Sequence, residues 1–261
     1  MLGTLKIAAL AIFQGIAEFL PISSSGHLAI AERLMGVDNP GKSLELLLHL
    51  GTLLAVVVFY RRRLARLALG VVRREGASLR EAAAIVASCI PAGVCYCLFG
   101  DFIESSLDGG MRFIGAMLLV TGCILLSTRF MPQGRVGRVG LGRAAAIGLA
   151  QAVALLPGIS RSGATMSAGR LLGVDSREAA DFSFLMTIPI LLGAAVLEVA
   201  SDGLAPLAAL GVGHSALAFV LSAATGYIAI RYLIGILGGG KLWLFGLYCF
   251  AAGLVAIFFC A

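Results

Sequence analysis

The sequence predicts an all-α polytopic membrane protein with six transmembrane helices plus two re-entrant helix hairpins in an inverted-topology repeat. Three observations predict this fold class: an apolar composition, six long apolar segments, and one motif that occurs twice. Of the 261 residues, 59% are hydrophobic and 13% are charged, and the mean hydropathy is +0.99. Soluble globular proteins have about 45–50% apolar and about 25% charged residues, so the composition excludes a soluble enzyme and a nucleic-acid-binding domain.

Six segments are long and apolar enough to cross a bilayer as α-helices, which requires about 20 residues each. They cover residues 43–60, 81–100, 111–128, 178–200, 212–232 and 241–260. The chain length suits six such spans with short connections, so we expect a single membrane domain over residues 1–261.

Two further apolar stretches are too short to span, and each ends in a break rich in glycine, serine and proline. Residues 4–20 precede a second short helical run at 25–36, and residues 143–157 precede another at 162–173. A helix, a polar break and another helix, with neither half long enough to cross, indicate a re-entrant hairpin. Such irregular backbone survives at membrane depth only where it is buried in protein or lines a wet cavity.

The arginines predict the orientation of the spans. Residues 61–80 contain seven arginines and residues 129–143 contain four, whereas residues 101–110 and 201–211 contain none. Because cytoplasmic loops are enriched in lysine and arginine, we expect the two basic segments to be cytoplasmic loops. Both termini then lie outside, the first hairpin enters from the outer face, and the second enters from the cytoplasmic face. The net charge of +6 thus reflects topology and gives no reason to expect a nucleic-acid partner.

An internal repeat supports this arrangement independently. With a shift of 137 positions, residues 9–38 align with residues 146–175 without a gap, and thirteen of the 30 pairs are identical. Three predicted spans separate the two copies, and an odd number of spans gives the copies opposite orientations. The sequence therefore predicts inverted repeats at roughly residues 1–130 and 138–261. In such proteins the functional site usually lies where the broken helices meet.

The first motif (residues 13–27) has the sequence FQGIAEFLPISSSGH. Gln14 and Glu18 are four residues apart and share a helix face, and Ser24 and His27, three apart, can share a face of the next helix. That helix begins after Ser23, and its unpaired N–H groups and positive dipole end favour an anion.

The second motif (residues 156–165) has the sequence LPGISRSGAT and repeats the serine pair, but with Arg161 between Ser160 and Ser162. The aligned pairs that differ most are Glu18 with Leu155, Ser24 with Arg161, and His27 with Ala164. One copy thus carries an acid, a hydroxyl and an imidazole, and the other carries a fixed cation. This division predicts one composite site in which one half supplies reactive groups and the other holds an anion.

Simpler interpretations remain for several of these residues. The serines and glycines of the breaks can be helix caps and packing residues. Arg33 and Arg170 match between the copies and fit interfacial anchors. Four acidic or imidazole groups near predicted span ends fit supporting or interfacial positions, namely Glu45, His49, Asp181 and Glu198. Glu18 and Arg161 are the strongest functional candidates, because an unpaired charge in an apolar segment is costly.

The two motifs together resemble the undecaprenyl-diphosphate phosphatase family, also known as the bacitracin-resistance family. The matching stretches are Gln14 and Glu18 followed by FLPISSSGH, and PGISRSGAT from Pro157 to Thr165. FSFL at Phe182–Leu185 followed by Ile188-Pro189 is similar too, so the resemblance covers essentially the whole chain. The family accepts glutamate or glutamine at the first position, and Gln14 leaves Glu18 as the only carboxylate of this motif.

The resemblance implies a multi-pass enzyme of the bacterial plasma (inner) membrane that removes the terminal phosphate from undecaprenyl diphosphate. The product, undecaprenyl phosphate, is the lipid carrier for peptidoglycan precursors. Bacitracin sequesters the diphosphate, so the enzyme confers resistance. The implied partners are the prenyl diphosphate lipid and membrane lipids, and the site is expected to open to the outer, periplasmic face, where the carrier diphosphate is released.

Expected catalytic groups are Ser24, His27, Glu18 and Arg161. Arg161 offers a multi-donor fork for phosphate, and a divalent cation, Mg²⁺ or Ca²⁺, would bridge the diphosphate and Glu18, with Gln14 beside it. Ser24 is the favoured nucleophile, with His27 accepting its proton, while attack by His27 itself or by an activated water remains open. The expected substrate-binding residues are Ser23, Ser25, Gly26, Ser160, Ser162, Gly163 and Thr165.

A second function class fits the same predicted fold. Inverted repeats with broken helices at mid-membrane are typical of secondary transporters, and a lipid flippase would need only binding groups. The asymmetry of the two motifs favours hydrolysis, because a nucleophile opposite an arginine has no purpose in a transport site.

Overall fold

The computed structural model describes residues 3–37, 42–107, 110–202, 210–237 and 240–259. These residues form ten α-helices and no strand; a single β-bridge joins Val136 to Val174. The first five helices are α1 (Thr4–Phe19), α2 (Ser24–Met35), α3 (Lys42–Val72), α4 (Gly76–Leu107) and α5 (Gly110–Ser127). The second five are α6 (Leu141–Val153), α7 (Arg161–Leu171), α8 (Ser176–Asp202), α9 (Val212–Leu237) and α10 (Leu244–Phe259).

Six of these helices are long and apolar enough to cross a membrane, namely α3, α4, α5, α8, α9 and α10. Each coincides with one of the six predicted segments, so the prediction of a six-span all-α membrane protein is confirmed. Asp38, at the end of the first repeat copy, and Asp108, in the acidic segment 101–110, lie outside the described residues.

The basic segment 61–80 is not the loop that the charge pattern predicted. Helix α3 continues to Val72 and α4 begins at Gly76, so only a short turn separates them. Arginine, alanine and leucine dominate residues 61–69 and are strong helix formers, which explains the continuation beyond the apolar stretch. The exposed arginines of this segment extend from helix ends rather than from an irregular loop.

A cluster of charged residues joins α3, α4 and α8 at the same end. Arg63 donates from Nε to Glu81 at 3.0 Å and from Nη2 to Glu178 at 3.1 Å, and its Nη1 lies 3.5 Å from Asp181. The hydroxyl of Tyr60 donates to Asp181 at 2.6 Å. One guanidinium therefore connects three helices, and Asp181 belongs to this cluster rather than to the two motifs.

Four short helices occur in two pairs. Helix α1 ends at Phe19 and α2 begins at Ser24, whereas α6 ends at Val153 and α7 begins at Arg161. Within each pair the backbone leaves the helix in a short connection that holds one residue with positive φ, Ser23 at 71° and Gly158 at 95°. The predicted short runs and breaks are therefore present at the predicted places.

Glycines bring the helices that carry the motifs close to other helices. A Cβ at Gly15 of α1 would lie 2.6 Å from the carbonyl oxygen of Ser222 on α9. A Cβ at Gly148 of α6 would lie 3.0 Å from the Cα of Ser88 on α4. These backbones approach closely because small residues stand at the crossings, as is common among membrane helices.

Candidate active site

The carboxylate of Glu18 is the centre of a hydrogen-bond cluster. Its side chain is 3% exposed, and its Oε1 accepts from Nη2 of Arg161 across the two motifs. Its Oε2 accepts from Nε2 of Gln14 and from Oγ of Ser24, both at 2.8 Å. The structure thus brings together four of the predicted site residues around one carboxylate.

The charge state of Glu18 follows from its surroundings. Burial by itself would raise its pKa, but the positive charge of Arg161, the imidazole of His49 and the hydrogen bonds from Ser24 and Gln14 outweigh it. The pKa of Glu18 is therefore held below its ordinary value. Of the three groups that donate hydrogen bonds to this ionised carboxylate, only the hydroxyl of Ser24 could also transfer its proton.

His27 is buried beside this cluster. The sequence predicted that it would accept the proton of Ser24, but the structure shows no hydrogen bond between these two side chains. Its Nδ1 lies 2.9 Å from the carbonyl oxygen of Ser23, and its ring stacks on Tyr248 with centroids 5.3 Å apart. Burial lowers the pKa of His27, which favours the neutral ring. If Nδ1 carries the proton that the carbonyl accepts, Nε2 presents a lone pair. The hydroxyl of Ser24 instead donates to Glu18.

The N-terminus of α2 carries three of the predicted substrate-binding residues. The hydroxyl of Ser23 accepts from the N–H of Gly26 at 3.4 Å and lies 3.4 Å from the hydroxyl of Ser25. Ser23 therefore caps the helix, which satisfies one of the N–H groups that would otherwise be unpaired. Its capping function is a geometric fact, while substrate binding by these three residues stays a prediction.

The N-terminus of α7 has the same local structure. The hydroxyl of Ser160 accepts from the N–H of Gly163 at 3.1 Å and lies 3.3 Å from the hydroxyl of Ser162. The N–H of Ser160 donates to the hydroxyl of Thr121 on α5 at 3.0 Å, which fixes the start of α7. Arg161 follows this cap directly, so its backbone position is tightly held.

Thr165 lies one turn into α7 and makes no hydrogen bond to Glu18. Its hydroxyl lies 2.8 Å from the carbonyl oxygen of Arg161 and 2.7 Å from the hydroxyl of Ser183 on α8. The contact with Ser183 connects α7 to α8. It joins the second motif, which ends at Thr165, to the FSFL stretch at Phe182–Leu185. Thr165 therefore supports the helix that carries Arg161, and direct binding of substrate by its hydroxyl stays a prediction.

Three contacts join the two motifs directly. Besides the pair Glu18–Arg161, the hydroxyl of Ser162 donates to the carbonyl oxygen of Leu20 at 3.2 Å. A Cβ at Gly26 would lie 3.2 Å from the Cα of Gly158, so the first turn of α2 packs closely on the connection between α6 and α7. The expected meeting of the two breaks is therefore present in the structure.

His49 on α3 is a member of the cluster that sequence reasoning assigned only a supporting or interfacial position. Its Nε2 lies 3.8 Å from Oε2 of Glu18 and 3.4 Å from Nε2 of Gln14, and its Nδ1 lies 2.8 Å from the carbonyl oxygen of Glu45. His49 also lines a cavity of about 150 Å³ between α3 and α8. Its only sequence signal was an imidazole within an apolar segment.

Three polar atoms in the cluster or on the neighbouring His27 are buried without a hydrogen-bond partner in the described part of the chain. They are Oε1 of Gln14, Nε2 of His27 and Nη1 of Arg161. Buried polar atoms in proteins are nearly always paired, and an unpaired one costs about 1–3 kcal/mol. An acceptor, a ring nitrogen and a cationic donor left unpaired together indicate a site that a polar ligand completes.

The residues present can hold a divalent cation only together with a ligand. Within the described ranges no group of three or more histidine, cysteine, aspartate or glutamate side chains could hold a metal ion. The available oxygen atoms are the carboxylate of Glu18 and the unpartnered Oε1 of Gln14. This donor set suits Mg²⁺, which commonly uses one or two protein ligands and completes its shell with substrate phosphates and water.

Comparisons with known proteins agree over nearly the whole chain. The family model described as "Bacitracin resistance protein BacA" matches residues 7–255. A protein of Rubrobacter xylanophilus named undecaprenyl-diphosphatase is 41% identical over 275 aligned residues, covering 98% of both chains. Proteins with related names from Desulfosudis oleivorans (41%, covering 95% of both chains) and Bacillus licheniformis (36%, covering 98% of this chain and 97% of the relative) are similar. The chain therefore belongs to the bacitracin-resistance family.

Proposed function

We propose that this protein hydrolyses undecaprenyl diphosphate to undecaprenyl phosphate and inorganic phosphate in the bacterial inner membrane. The chain is a membrane phosphatase of a family whose similar members are named undecaprenyl-diphosphatase. The single observation that carries the mechanism is the contact of Glu18 with both Ser24 and Arg161. It puts a hydroxyl, a carboxylate and a guanidinium within one buried cluster. The activity regenerates the lipid carrier for peptidoglycan synthesis and confers bacitracin resistance.

The diphosphate binds to Arg161 in this proposal. Nη1 of Arg161 is buried and has no partner among the residues that the structure describes, so it can donate to a phosphate oxygen without losing a contact seen there. The guanidinium fork suits phosphate oxygens, and the positive dipole ends of α2 and α7, at Ser25 and Ser162, favour the same anion. The N–H groups of Gly26 and Gly163 already donate to their serine caps. Positive charge and fixed dipoles stabilise the charge that spreads over the phosphoryl oxygens during transfer.

Ser24 is the nucleophile that the geometry supports best. Its Oγ attacks the terminal phosphorus while its proton moves to Oε2 of Glu18, to which it already donates at 2.8 Å. The bond from phosphorus to the bridging oxygen breaks, undecaprenyl phosphate leaves, and water then releases phosphate from Ser24. Attack by Nε2 of His27 or by a water molecule are the alternatives, and both leave the binding role of Arg161 unchanged.

A divalent cation, Mg²⁺ or Ca²⁺, accompanies the diphosphate in this proposal. Glu18 and Oε1 of Gln14 would hold it, together with phosphate oxygens, and the cation would neutralise negative charge on the diphosphate. The single carboxylate of the motif supports a cation that binds with the substrate rather than before it.

We also propose that α1–α2 and α6–α7 are re-entrant hairpins related by an inverted repeat within one domain, residues 1–261. The similar serine caps of α2 and α7 support this relation. A second similarity supports it too: α1 packs closely on α9, the fourth helix of the second half, and α6 packs closely on α4, the fourth helix of the first half. The halves correspond to residues 1–130 and 138–261.

The site opens to the outer, periplasmic face in this arrangement. The support is the charge pattern: eleven arginines in residues 61–80 and 129–143 against none in residues 101–110 and 201–211. The carrier diphosphate is released on that face after glycan polymerisation, so substrate and site would meet there.

The deciding experiment measures inorganic phosphate released from undecaprenyl diphosphate by the purified protein in detergent with Mg²⁺. We expect multiple turnovers by the wild type and almost none by Arg161→Ala. Transport or flipping of lipid is the alternative class, and the comparisons do not favour it. A folded wild-type protein that releases no phosphate, yet moves labelled lipid across vesicle membranes, would reverse this conclusion.

A further inference from the structure

Gln151 is a buried amide to which the proposed reaction gives no role. It lies near the end of α6, is 2% exposed, and neither its Nε2 nor its Oε1 has a hydrogen-bond partner among the described residues. Leaving both polar atoms of a buried amide without hydrogen bonds costs more folding free energy than leaving one of them unpaired. The feature therefore calls for a ligand or another polar partner.

The repeat alignment pairs Gln151 with Gln14, which belongs to the cluster around Glu18. The two copies also match in local structure, because the serine caps of α2 and α7 bind the same relative N–H group. In the first copy, positions 14, 18 and 24 converge: Gln14 and Ser24 both donate to Glu18. The corresponding positions of the second copy are Gln151, Leu155 and Arg161.

This correspondence explains why Gln151 is unpartnered. The alignment pairs Leu155 with Glu18, so the second copy has no carboxylate four residues after its glutamine. Leu155 also lies beyond the end of α6 at Val153, whereas Glu18 lies within α1. Arg161 stands where Ser24 stands and is expected on the same side of its hairpin as Gln151. Within the described ranges, Nη1 of Arg161 is also buried without a partner. The cationic Nη1 of Arg161 and the neutral Nε2 of Gln151 both belong to the second half of the protein. Both lack an acceptor among the described residues.

We propose that Gln151 binds the diphosphate head group together with Arg161, with its Nε2 donating to a phosphate oxygen. This inference rests on the proposed function and names a further substrate-binding residue for it. A diphosphate suits the pair because it offers several oxygen acceptors on two phosphorus atoms. A neutral amide adds a directed donor without adding charge, so it strengthens binding while still allowing the phosphate product to leave.

The test compares Gln151→Leu with the wild type. Leucine keeps a similar size and removes both polar atoms, so we expect the KM for undecaprenyl diphosphate to rise roughly ten-fold, the loss expected for one hydrogen bond to a charged group. The Kd of inorganic pyrophosphate, measured by calorimetry on the purified protein, should rise by a similar factor. The thermal unfolding midpoint should not fall, because no existing hydrogen bond is removed.

Gln151→Glu is the second variant and keeps the polar shape. Its carboxylate would repel the diphosphate and bind Arg161, so we expect a larger rise in the Kd of pyrophosphate than for leucine. Ser167→Ala is the matched control, since the hydroxyl of Ser167 on α7 is equally buried and unpartnered. It should leave both the KM and the Kd unchanged.

Two results would overturn the inference. One is a Gln151→Leu protein whose KM and pyrophosphate Kd stay within about two-fold of the wild type. The other is an equal shift in Ser167→Ala, which would assign the effect to packing. Failure of the proposed function is a separate result, because wild-type protein would then release no phosphate, while calorimetry would still measure whether Gln151 contributes to binding pyrophosphate.

Discussion

Glu18 and Arg161 form an ion pair that joins the two motifs, although 143 positions separate them in the chain. The carboxylate is almost fully buried and the guanidinium is 18% exposed. Removing one partner of such a pair leaves the other charge uncompensated, which is more costly than the pair itself is stabilising. A diphosphate can displace the carboxylate from Arg161 because it offers the guanidinium a replacement acceptor.

Arg161→Ala should nearly abolish phosphate release, because the cationic donor to the phosphoryl oxygens is lost. Arg161→Lys should restore little activity, since a lysine ammonium lacks the planar fork. Initial rates of phosphate release at saturating lipid measure both effects. An alanine variant that keeps more than about a tenth of wild-type turnover, roughly 1.4 kcal/mol of barrier, would contradict the binding role.

Glu18→Gln should raise the Mg²⁺ concentration needed for half-maximal activity or abolish turnover. The carboxamide is nearly isosteric, so a folded protein is expected, and thermal unfolding checks this. The companion change, Gln14→Glu, supplies the other residue that the resemblance allows at this position and should leave the enzyme active. Unchanged metal dependence and rate in Glu18→Gln would exclude Glu18 as a cation ligand.

Ser24 and His27 can be separated by trapping the reaction intermediate. With Ser24 as nucleophile, phosphate from a labelled substrate becomes attached to Ser24, and rapid acid quench followed by peptide mass spectrometry should find it there. A parallel alkaline quench preserves phosphohistidine, which acid would hydrolyse. Ser24→Ala should then lose turnover almost completely, while His27→Gln should retain the phosphoserine. A label on His27 would transfer the nucleophilic role to the imidazole, and turnover without a covalent label on either residue would favour water.

The close crossing of α6 and α4 predicts a stability difference between two glycines of the same helix. Gly148→Ala adds a Cβ that would overlap the backbone carbonyl oxygen of Ser88, so we expect a thermal unfolding midpoint several degrees below that of the wild type. Gly142→Ala, with nothing within 4 Å of its Cβ, should equal or exceed the wild type, because alanine is the better helix former. Equal midpoints in the two variants would contradict the crossing.

The sequence predicted the six spans well because hydropathy depends on composition over about 20 residues, and composition does not change on folding. It did not predict where α3 ends, because hydropathy stops at Arg61 while helix propensity continues to Val72. Charged residues at a membrane surface can extend a helix beyond the apolar stretch. Hydropathy and helix propensity therefore predict different ends for α3.

The meeting of Glu18 with Arg161 was predictable because the repeat placed both motifs at broken helices. The hydrogen-bond partner of His27 was not predictable. A spacing of three residues permits contact with the side chain of Ser24, but it equally permits a hydrogen bond to the carbonyl oxygen of Ser23. The approach of His49 to Glu18 depends on how α3 packs against α1, and no local pattern in the sequence encodes that packing.

The last prediction concerns the side of the membrane to which the site opens. Single cysteines at Ser105 and Arg74, both exposed, test it in a background without the six native cysteines. In intact cells whose outer membrane, if present, is permeabilised, a membrane-impermeant thiol reagent should label position 105 and leave position 74 unlabelled. The arginine counts alone predict this orientation. The proposed substrate predicts it independently, because a carrier diphosphate released at the periplasmic face would need a site that opens there. Labelling of both positions after detergent lysis is the control for reactivity. The reverse pattern in intact cells would place α1 and α2, with Glu18 and Ser24, on the cytoplasmic side.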